Sequence, residues 1–309
     1  MNDNKKISYF TRLRKDLRKY KSLYLLAIPV VIWYILFHYK PMYGLIIAFK
    51  DYRPGLGIAE SEWVGLKHFI SFFKSFYFGR TLKNTLIISF SQIIFGFPAP
   101  IIFALLLNEV KNMKFKRTIQ TISYMPHFIS TVVICGLIHT FTSSTGFITT
   151  IAMKFGFPEV SMLTKANLFV PIYTISGIWQ QMGWSAIIYI SALAGVDQQL
   201  YEAAQIDGAN RWKQTIHITI PSISSTIIIM LLLRLGSIMS VGFEKIILLY
   251  NEAIYETSDV ISTYLYRRSL GEFQYSLGAA IGMFNSLINF ILIIMFNKIS
   301  KKASEVSLW

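Results

Sequence analysis

Six long apolar runs limit what this chain of 309 residues can fold into. Each is about as long as the ~20 residues that an α-helix needs to cross a bilayer. Water is absent from the hydrocarbon, so backbone polar groups there must pair within the protein, which favours helices. The sequence therefore predicts an all-α membrane protein with six transmembrane helices. The runs lie at 23–47, 84–107, 119–141, 168–191, 221–241 and 277–297.

The composition predicts one membrane domain and no separate soluble domain. Hydrophobic residues make up 53% of the chain, and soluble domains of this size are rarely so apolar. We expect a basic tail over 1–22, a six-span domain over 23–297 and a second tail over 298–309. No small-residue cleavage site follows the first apolar run, so we expect that run to be a retained span and not a signal peptide.

The positions of the basic residues decide how the net charge of +14 is interpreted. A charge of this size would suit nucleic acid, but the basic residues precede the first run, fill the loop 111–117 and follow the last run. These places fall on one side of a six-span protein. Positive charge marks the cytoplasmic side, so we expect both termini in the cytoplasm, no nucleic-acid partner and membrane lipid around the spans. The tail is interpreted as a topology signal, with contact between the tail and anionic lipid as the less favoured alternative.

The polar segment 198–220, between the fourth and fifth runs, is the most informative connection. Leu200, Ala203 and Ala204 share one face of a predicted helix that starts at Gln198. Asp207 and Gly208 then form a turn, because glycine permits the positive φ of a tight reversal. The pattern predicts two helical pieces that lie across the membrane face and present a shallow surface to another protein.

The spacing within this segment resembles the EAA loop of the permease subunits of binding-protein-dependent ABC importers. That pattern is EAA, three residues, G, nine residues, I, one residue, L, P. The chain has Glu202-Ala203-Ala204, then Gly208, then Ile218-Thr219-Ile220-Pro221. It departs from the pattern only at Ile220, where leucine is usual. The resemblance implies that Glu202, Ala203, Ala204, Asp207 and Gly208 couple the chain to an ATPase.

Further segments resemble the polysaccharide and complex-oligosaccharide (LplB-like) branch of the maltose-type sugar permeases. The resemblance implies a type I ABC importer permease (MetI-like) core that forms half of a translocation path for an oligosaccharide. It also implies a second permease, an extracellular solute-binding protein and a cytoplasmic ATPase dimer. The segments are KPMYGLIIAFKDYRPGLG (40–57), WVGLKHF (63–69), NTLIIS (84–89), ALLLNEV (104–110), YMPHFIS (124–130), GFEKIILLYN (242–251) and DVISTYLYR (259–267).

No phosphate-binding loop of the G-x-x-x-x-G-K-[ST] type occurs in the sequence. We therefore expect ATP and Mg²⁺ to bind to the partner ATPase and no cofactor to bind to this chain. The histidines have no metal-site spacing, the single cysteine excludes a disulfide framework, and no nucleophile–base constellation is visible. The sequence predicts a transport subunit with neither catalytic nor metal-binding residues.

The fourth run carries the candidate solute-binding residues. A sugar path needs hydrogen-bonding groups and flat aromatic faces in an apolar wall, and adjacent glutamines within a span are costly unless they face a cavity or a partner helix. Gln180, Gln181, Trp184 and Tyr189 fit this description, with aromatic packing at the interface as the alternative. In the maltose-type family the matching segment contributes to the sugar site, which implies the same for Gln180, Gln181 and Trp184.

Charged residues near the fifth run complete the predicted path. Arg234 lies within that run and should pair or face water. It is interpreted either as an ion-pair partner of Glu244 or of the second permease, or as a contact for an acidic sugar such as a uronate. Glu244 and Lys245 are expected near the outer mouth, paired with each other or with the binding protein.

Two other classes of protein were weighed. A stand-alone secondary transporter or channel predicts paired carboxylates within the membrane or broken helices in repeated halves. An intramembrane enzyme predicts paired catalytic groups at matched depth. The sequence offers neither pattern, so the importer permease is the leading hypothesis and the secondary transporter or channel is the alternative.

Overall fold

The computed structural model describes residues 19–304 and 306–308, and the first 18 residues of the predicted basic tail lie outside them. The described chain is mainly helical, as predicted. The helices of its first half are Lys21–Tyr34, Lys40–Met42, Gly57–Glu60, Lys67–Lys74, Phe76–Ser91, Pro98–Glu109, Met113–Tyr124, Thr131–Thr142 and Phe147–Met153. Those of the second half are Ala166–Ala194, Gln198–Ile206, Arg211–Gln214, Ile220–Ser222, Ser224–Leu235, Phe243–Leu249, Tyr255–Ser258, Ile261–Tyr266 and Tyr275–Ser304.

Shorter elements connect these helices. The π-helical turns are Ile35–Tyr39, Gln92–Gly96, Thr215–Thr219 and Arg267–Gly271. The 3-10 turns are Tyr43–Phe49, Met125–Phe128, Met162–Thr164 and Glu252–Ile254. Two strands of two residues each, Lys50–Asp51 and Glu62–Trp63, pair antiparallel in the first outer connection.

Among the described residues, four helices are long and apolar enough to cross a membrane, or five if a bent pair counts as one span. The remaining predicted span, the fourth run at 168–191, corresponds to Ala166–Ala194, which has 29 residues and is about 44 Å long at 1.5 Å per residue. Its length is sufficient for a span. Gln180 and Gln181 lower its mean hydropathy, so this helix is less apolar than the four helices counted above.

The first span stands apart from the bundle. Every side chain from Lys21 to Tyr43 is exposed, and the chain joins the bundle only from Tyr43–Phe49 onward, where it packs on Tyr275–Ser304. Pro29 lies inside the first helix without breaking it. Helix type changes at the π-helical turn Ile35–Tyr39, and α-helix resumes over Lys40–Met42.

The second span runs through its prolines as one apolar stretch of 34 residues, Phe76–Glu109. Pro98 has no N–H to donate. A π-helical turn over Gln92–Gly96 precedes it and takes up the extra residue, with the N–H of Phe97 bonded to the carbonyl of Gln92 at 2.9 Å. The second span therefore accommodates Pro98 by a local change of helix type.

The prediction of a third span over 119–141 is wrong in its bounds. One helix ends at Tyr124, and the apolar stretch that could span begins at Thr131 and ends at Met153. Pro126 lies in the 3-10 turn between the two parts. Ser130 then caps the new helix, its hydroxyl accepting from the N–H of Val133 at 3.4 Å. A proline followed by an N-cap serine explains the restart.

The fifth span is also broken where a continuous helix was predicted over 221–241. Arg211–Ser222 and Ser224–Leu235 meet at Ile223 with a bend of 62°. The two pieces are apolar and long enough for a span only together, and Pro221 belongs to the piece before the bend. Beyond Leu235, Gly236 lies against the Ile293 side chain of the last helix, where a Cβ would come within 2.7 Å.

The connection 242–276, between the fifth and sixth spans, is a packed part of the fold. Ile246, Ile254 and Val260 within it are fully buried and pack with residues of the second, third and fourth spans. The Tyr264 side chain from the same connection packs with Phe72 in a second apolar cluster. This connection therefore closes one end of the bundle.

A buried carboxylate holds the connection to the second span. Asp259 is fully buried, and its Oδ2 lies 3.2 Å from Arg80 Nη2 and 2.8 Å from Arg267 Nη2. The hydroxyl of Thr263 donates to Oδ1 at 2.9 Å. The amide of Asn84 donates to the Asp259 carbonyl at 2.9 Å. Burial is tolerable because the charge is paired and hydrogen-bonded.

Replacing this carboxylate should destabilise the bundle. Asp259→Asn leaves Arg80 and Arg267 without a counter-charge, and breaking a buried pair costs about 3 kcal/mol or more. Glu272→Gln is the control, because it removes an exposed i,i+4 partner of Arg268 and should cost about 1 kcal/mol or less. Thermal unfolding of the purified chain in detergent measures both, and equal unfolding temperatures would contradict the role given to Asp259.

Candidate functional site

A cavity of about 680 Å³ lies in the side of the bundle. Residues of the second, fourth and fifth spans form its walls, together with Thr131 and the segment Gly242–Lys245. Apolar side chains alternate there with amides, hydroxyls and charges. A cavity of this size, with a few polar groups in an apolar wall, is typical of a small-molecule binding site.

Five of the six predicted solute-path residues line this cavity. They are Gln180, Gln181, Tyr189, Arg234 and Glu244. Gln180 and Tyr189 are buried, at 7% and 2% exposure. The positions agree with the predicted path, and the roles of these residues stay predictions.

The sixth residue, Trp184, lies beside the cavity and stacks on a histidine. The rings of His127 and Trp184 are 4.4 Å apart and nearly parallel. His127 Nδ1 and Gln181 Oε1 form a hydrogen bond of 2.9 Å, and Gln181 reaches the cavity. The break before the third span therefore helps to position a cavity residue.

Gly183 lets the helix Ala166–Ala194 approach the helix Met113–Tyr124 closely. Gly183 is buried in Ala166–Ala194, and a Cβ there would overlap the backbone carbonyl of Ser123. Ser123 belongs to the helix that ends just before the Met125–Phe128 turn. Because backbone does not give way as a flexible side chain does, only glycine permits this contact.

Two buried nitrogen atoms in the cavity wall have no hydrogen-bond partner among the described residues. They are Lys245 Nζ and Gln92 Nε2. Lys245 is 8% exposed, and its ammonium lies 5.4 Å from the ring centre of Tyr173. Both nitrogens face Gly177, where a Cβ would lie 3.3 Å from Gln92 Nε2 and 3.8 Å from Lys245 Nζ.

The expected pairing of the charges is not seen. Within the described residues neither Arg234 nor Lys245 forms an ion pair with Glu244. Arg234 and Glu244 are exposed at the cavity, whereas the side chain of Lys245 turns into the bundle. Lys245 was expected near the outer mouth, and Gln92 was not among the predicted path residues, although a glutamine inside an apolar run is a sign of a cavity.

The segment 198–220 has the predicted helix and turn. Its first helix is Gln198–Ile206, capped by Asp197, whose carboxylate accepts from the N–H of Gln199 at 2.9 Å. Gly208 has a φ of +75°, so the turn needs glycine for the reason given by the sequence. The chain then continues through Arg211–Gln214 and the π-helical turn Thr215–Thr219.

One side-chain contact fixes this segment to the bundle, and a second joins its two arms. Arg211 Nη1 lies 3.0 Å from Glu109 Oε2, at the end of the second span. The hydroxyls of Tyr201 and Thr219 lie 3.0 Å apart, so the two arms of the segment are tied to each other. Neither contact was predicted, because both join residues far apart in the sequence.

The outer face of the segment is exposed and partly apolar. Glu202 and Ala203 are exposed and Ala204 is half-buried. Ile206 is 87% exposed and Trp212 is 72% exposed. Large apolar side chains in such positions mark a surface that another protein covers.

The described residues contain no group of three or more His, Cys, Asp and Glu side chains that could hold a metal ion. The cavity is lined by amides, hydroxyls and isolated charges, and the segment 198–220 exposes a surface that another protein can cover. A membrane bundle with a polar cavity and a rigid exposed helical loop defines a transport subunit that works with another protein.

Comparison with known proteins agrees with this class. Residues 96–305 match the family described as the binding-protein-dependent transport system inner membrane component. Protein LplB of Bacillus subtilis (strain 168) is 43% identical, over 99% of this chain and 95% of its own length. The polygalacturonan/rhamnogalacturonan transport system permease protein YteP of the same strain is 42% identical, over 96% and 93%.

Two crystal structures share the fold. One is of a bacterial ABC transporter involved in the import of the acidic polysaccharide alginate. Its matching chain is 43% identical, with a TM-score of 0.87, and the match covers 95% of this chain and 99% of that one. The other is of a bacterial alginate ABC transporter in complex with a periplasmic protein that holds an alginate pentasaccharide. Its chain is 42% identical, with a TM-score of 0.88, covering 96% and 100%.

The chain therefore belongs to the family of inner membrane components of binding-protein-dependent transport systems. It is a permease subunit of an ABC importer, a transport component and not an enzyme. The family, the fold class and the transport function predicted from the sequence are confirmed.

The close contact at Gly183 gives a test of how the cavity wall is packed. Gly183→Ala should lower stability by about 1–3 kcal/mol, the usual cost of overpacking, because the methyl group meets the Ser123 carbonyl. Gly136→Ala is the control, since that helical glycine has open space around it and alanine favours a helix. Thermal unfolding in detergent compares them, and a Gly183→Ala variant as stable as the control would refute the contact.

Proposed function

We propose that this chain is the saccharide-conducting permease of an ATP-driven importer and that solute passes through the cavity described above. It works with a second, similar permease, a solute-binding protein outside the membrane and an ATPase dimer in the cytoplasm. ATP and Mg²⁺ bind to the ATPase. The cavity, with Gln180, Gln181, Tyr189, Arg234 and Glu244 in its wall, is the single observation that most supports an oligosaccharide as cargo.

Amide side chains and an aromatic residue suit a saccharide for a physical reason. Sugar hydroxyls donate and accept hydrogen bonds, which the amides of Gln180 and Gln181 reciprocate. The Trp184 ring, held flat against His127, is half-exposed and offers an apolar face beside them. The relatives that carry polygalacturonan, rhamnogalacturonan or alginate in their names support the same class of cargo.

We infer that the segment 198–220 is the coupling loop that docks on the ATPase. Glu202, Ala203, Ala204, Asp207 and Gly208 form its docking helix and turn. The small alanines allow close approach, and the exposed Ile206 and Trp212 side chains add apolar area at the docked surface. The Arg211–Glu109 ion pair and the Tyr201–Thr219 contact between the two arms support a rigid loop. A rigid loop can transmit a movement of the ATPase to the spans.

The same loop supports the proposed orientation. The Arg211–Glu109 contact brings the coupling loop to the end of the second span, next to the basic loop 111–117. Both therefore lie at one end of the bundle, and positive charge favours the cytoplasmic side. We propose that this end is cytoplasmic, with both tails on that side of a domain that extends over 23–297.

A glycine substitution tests the coupling loop. Gly208→Val forces a β-branched residue to a φ of +75°, where it is strained, so uptake of labelled oligosaccharide should fall to background while the chain still inserts in the membrane. Gly57→Val is the matched control, since Gly57 has the same φ and open space but lies in the first outer connection. Normal uptake by Gly208→Val, or equal loss in both variants, would exclude the coupling role.

Co-purification tests the partners. The chain isolated from native membranes in mild detergent should bring along a second six-span permease and an ATPase with a phosphate-binding loop. Glu202→Lys should release the ATPase and keep the permease, whereas Glu60→Lys, an exposed substitution near the first outer connection, should release neither. Recovery of the chain alone, with transport in liposomes that needs no ATP, would favour the secondary transporter.

A further inference from the structure

The ammonium group of Lys245 is buried and unpaired in the wall of the cavity. Its side chain is more than nine-tenths buried, and the nitrogen has no hydrogen-bond partner in the part of the chain that the structure describes. Burial of an unpaired charge is costly. The Tyr173 ring offsets part of this cost through a cation–π contact, but it satisfies none of the three N–H donors.

A second donor points to the same place. Gln92 Nε2 is also buried without a partner among the described residues, and both it and Lys245 Nζ lie beside Gly177. The distances to the missing Cβ of Gly177 put the two nitrogens at most about 7 Å apart. One carboxylate that accepts two hydrogen bonds of about 2.9 Å can bridge donors at that separation. Gly177 leaves open the space that a side chain would fill.

The charges around the cavity favour an anion. The charged residues that line it are Arg234, Lys245 and Glu244, so cations outnumber anions there. Glu244 is exposed and forms no ion pair with either cation among the described residues. A neutral hydroxyl would satisfy a donor but would leave the buried positive charge uncompensated, whereas a carboxylate satisfies both.

We propose that Lys245 and Gln92, which both lie beside Gly177, form a binding site for a carboxylate group of the saccharide in the cavity. The cargo class is then an acidic oligosaccharide built from uronate units. This inference rests on the proposed function, since it takes the cavity as the solute path. Lys245 supplies the charge, Gln92 the second hydrogen bond and Gly177 the space.

The charge of the cavity is measured first, in membrane vesicles that carry the complete importer. Cys135 is replaced by serine, and Ser185, which lines the cavity, is replaced by cysteine. An anionic and a cationic methanethiosulfonate reagent of similar size then modify this cysteine. Lys245→Gln should lower the ratio of anionic to cationic rates about threefold or more. Lys154→Gln, on an exposed outer segment, should leave it unchanged. An unchanged ratio in Lys245→Gln would overturn the proposal.

Ligand binding is measured with the same cysteine and a neutral maleimide. Millimolar trigalacturonate should slow the labelling, and its fully methyl-esterified form, which has the same length and no charge, should not. Lys245→Gln should remove the protection, and so should Gly177→Ala, which keeps the charge and fills the space. Equal protection by acid and ester, or protection that survives Lys245→Gln, would refute the carboxylate site. So would an absence of protection by the acid.

These outcomes are separable from those of the proposed function. Reagent rates and protection need neither ATP nor the coupling loop, so Gly208→Val should retain both while losing uptake. If Lys245→Gln instead releases the second permease during purification, the unpaired ammonium belongs to a contact between permeases and the carboxylate site is refuted. Normal uptake by Gly208→Val, with intact protection by trigalacturonate, would overturn the coupling role alone.

Discussion

Within the hydrocarbon of a bilayer, each backbone N–H and C=O needs a partner in the protein, and the architecture of this chain follows from that requirement. Continuous helix meets it over most of the spans. Departures from continuous helix include a π-helical turn over Ile35–Tyr39 in the first span, a π-helical turn over Gln92–Gly96, the 3-10 turn at Met125–Phe128 and the bend at Ile223. The last three lie beside the cavity or the segment 198–220. Irregular backbone at those three places therefore accompanies polar side chains.

Sequence periodicity and composition predicted the fold class well, because apolar length is a local property. They failed at span boundaries. The third span starts at Thr131 and not at 119, and the fifth is bent by 62° at Ile223, where a continuous helix was predicted. In both cases a proline ends regular hydrogen bonding, and the helix restarts at a point set by the next available cap or contact. Hydropathy does not detect such restarts, because the residues on both sides are equally apolar.

The sequence predicted those parts of the candidate site where the type of a single residue indicates its surroundings. Polar and charged side chains are costly within a span unless they face a cavity or a partner. Adjacent glutamines in one span and an arginine in another therefore indicate a cavity, and the structure places Gln180, Gln181 and Arg234 in its wall. The inward turn of Lys245 and its approach to Gln92 were not predictable, because they depend on how three separate elements meet. The same limit applies to the Asp259 ion pairs, whose partner Arg80 lies 179 positions away.

The bend at Ile223 gives the cavity a mechanical connection to the coupling loop. The segment before the bend carries Arg211, tied to Glu109, and the segment after it carries Arg234 into the cavity wall. Arg234 is about 16 Å beyond the bend at 1.5 Å per residue. A tilt of about 10° at that point would displace its guanidinium by about 3 Å, roughly one hydrogen-bond length. On the proposed function, the bent span is a lever arm, and a small rotation at the membrane surface is enough to make or break a contact with the cargo.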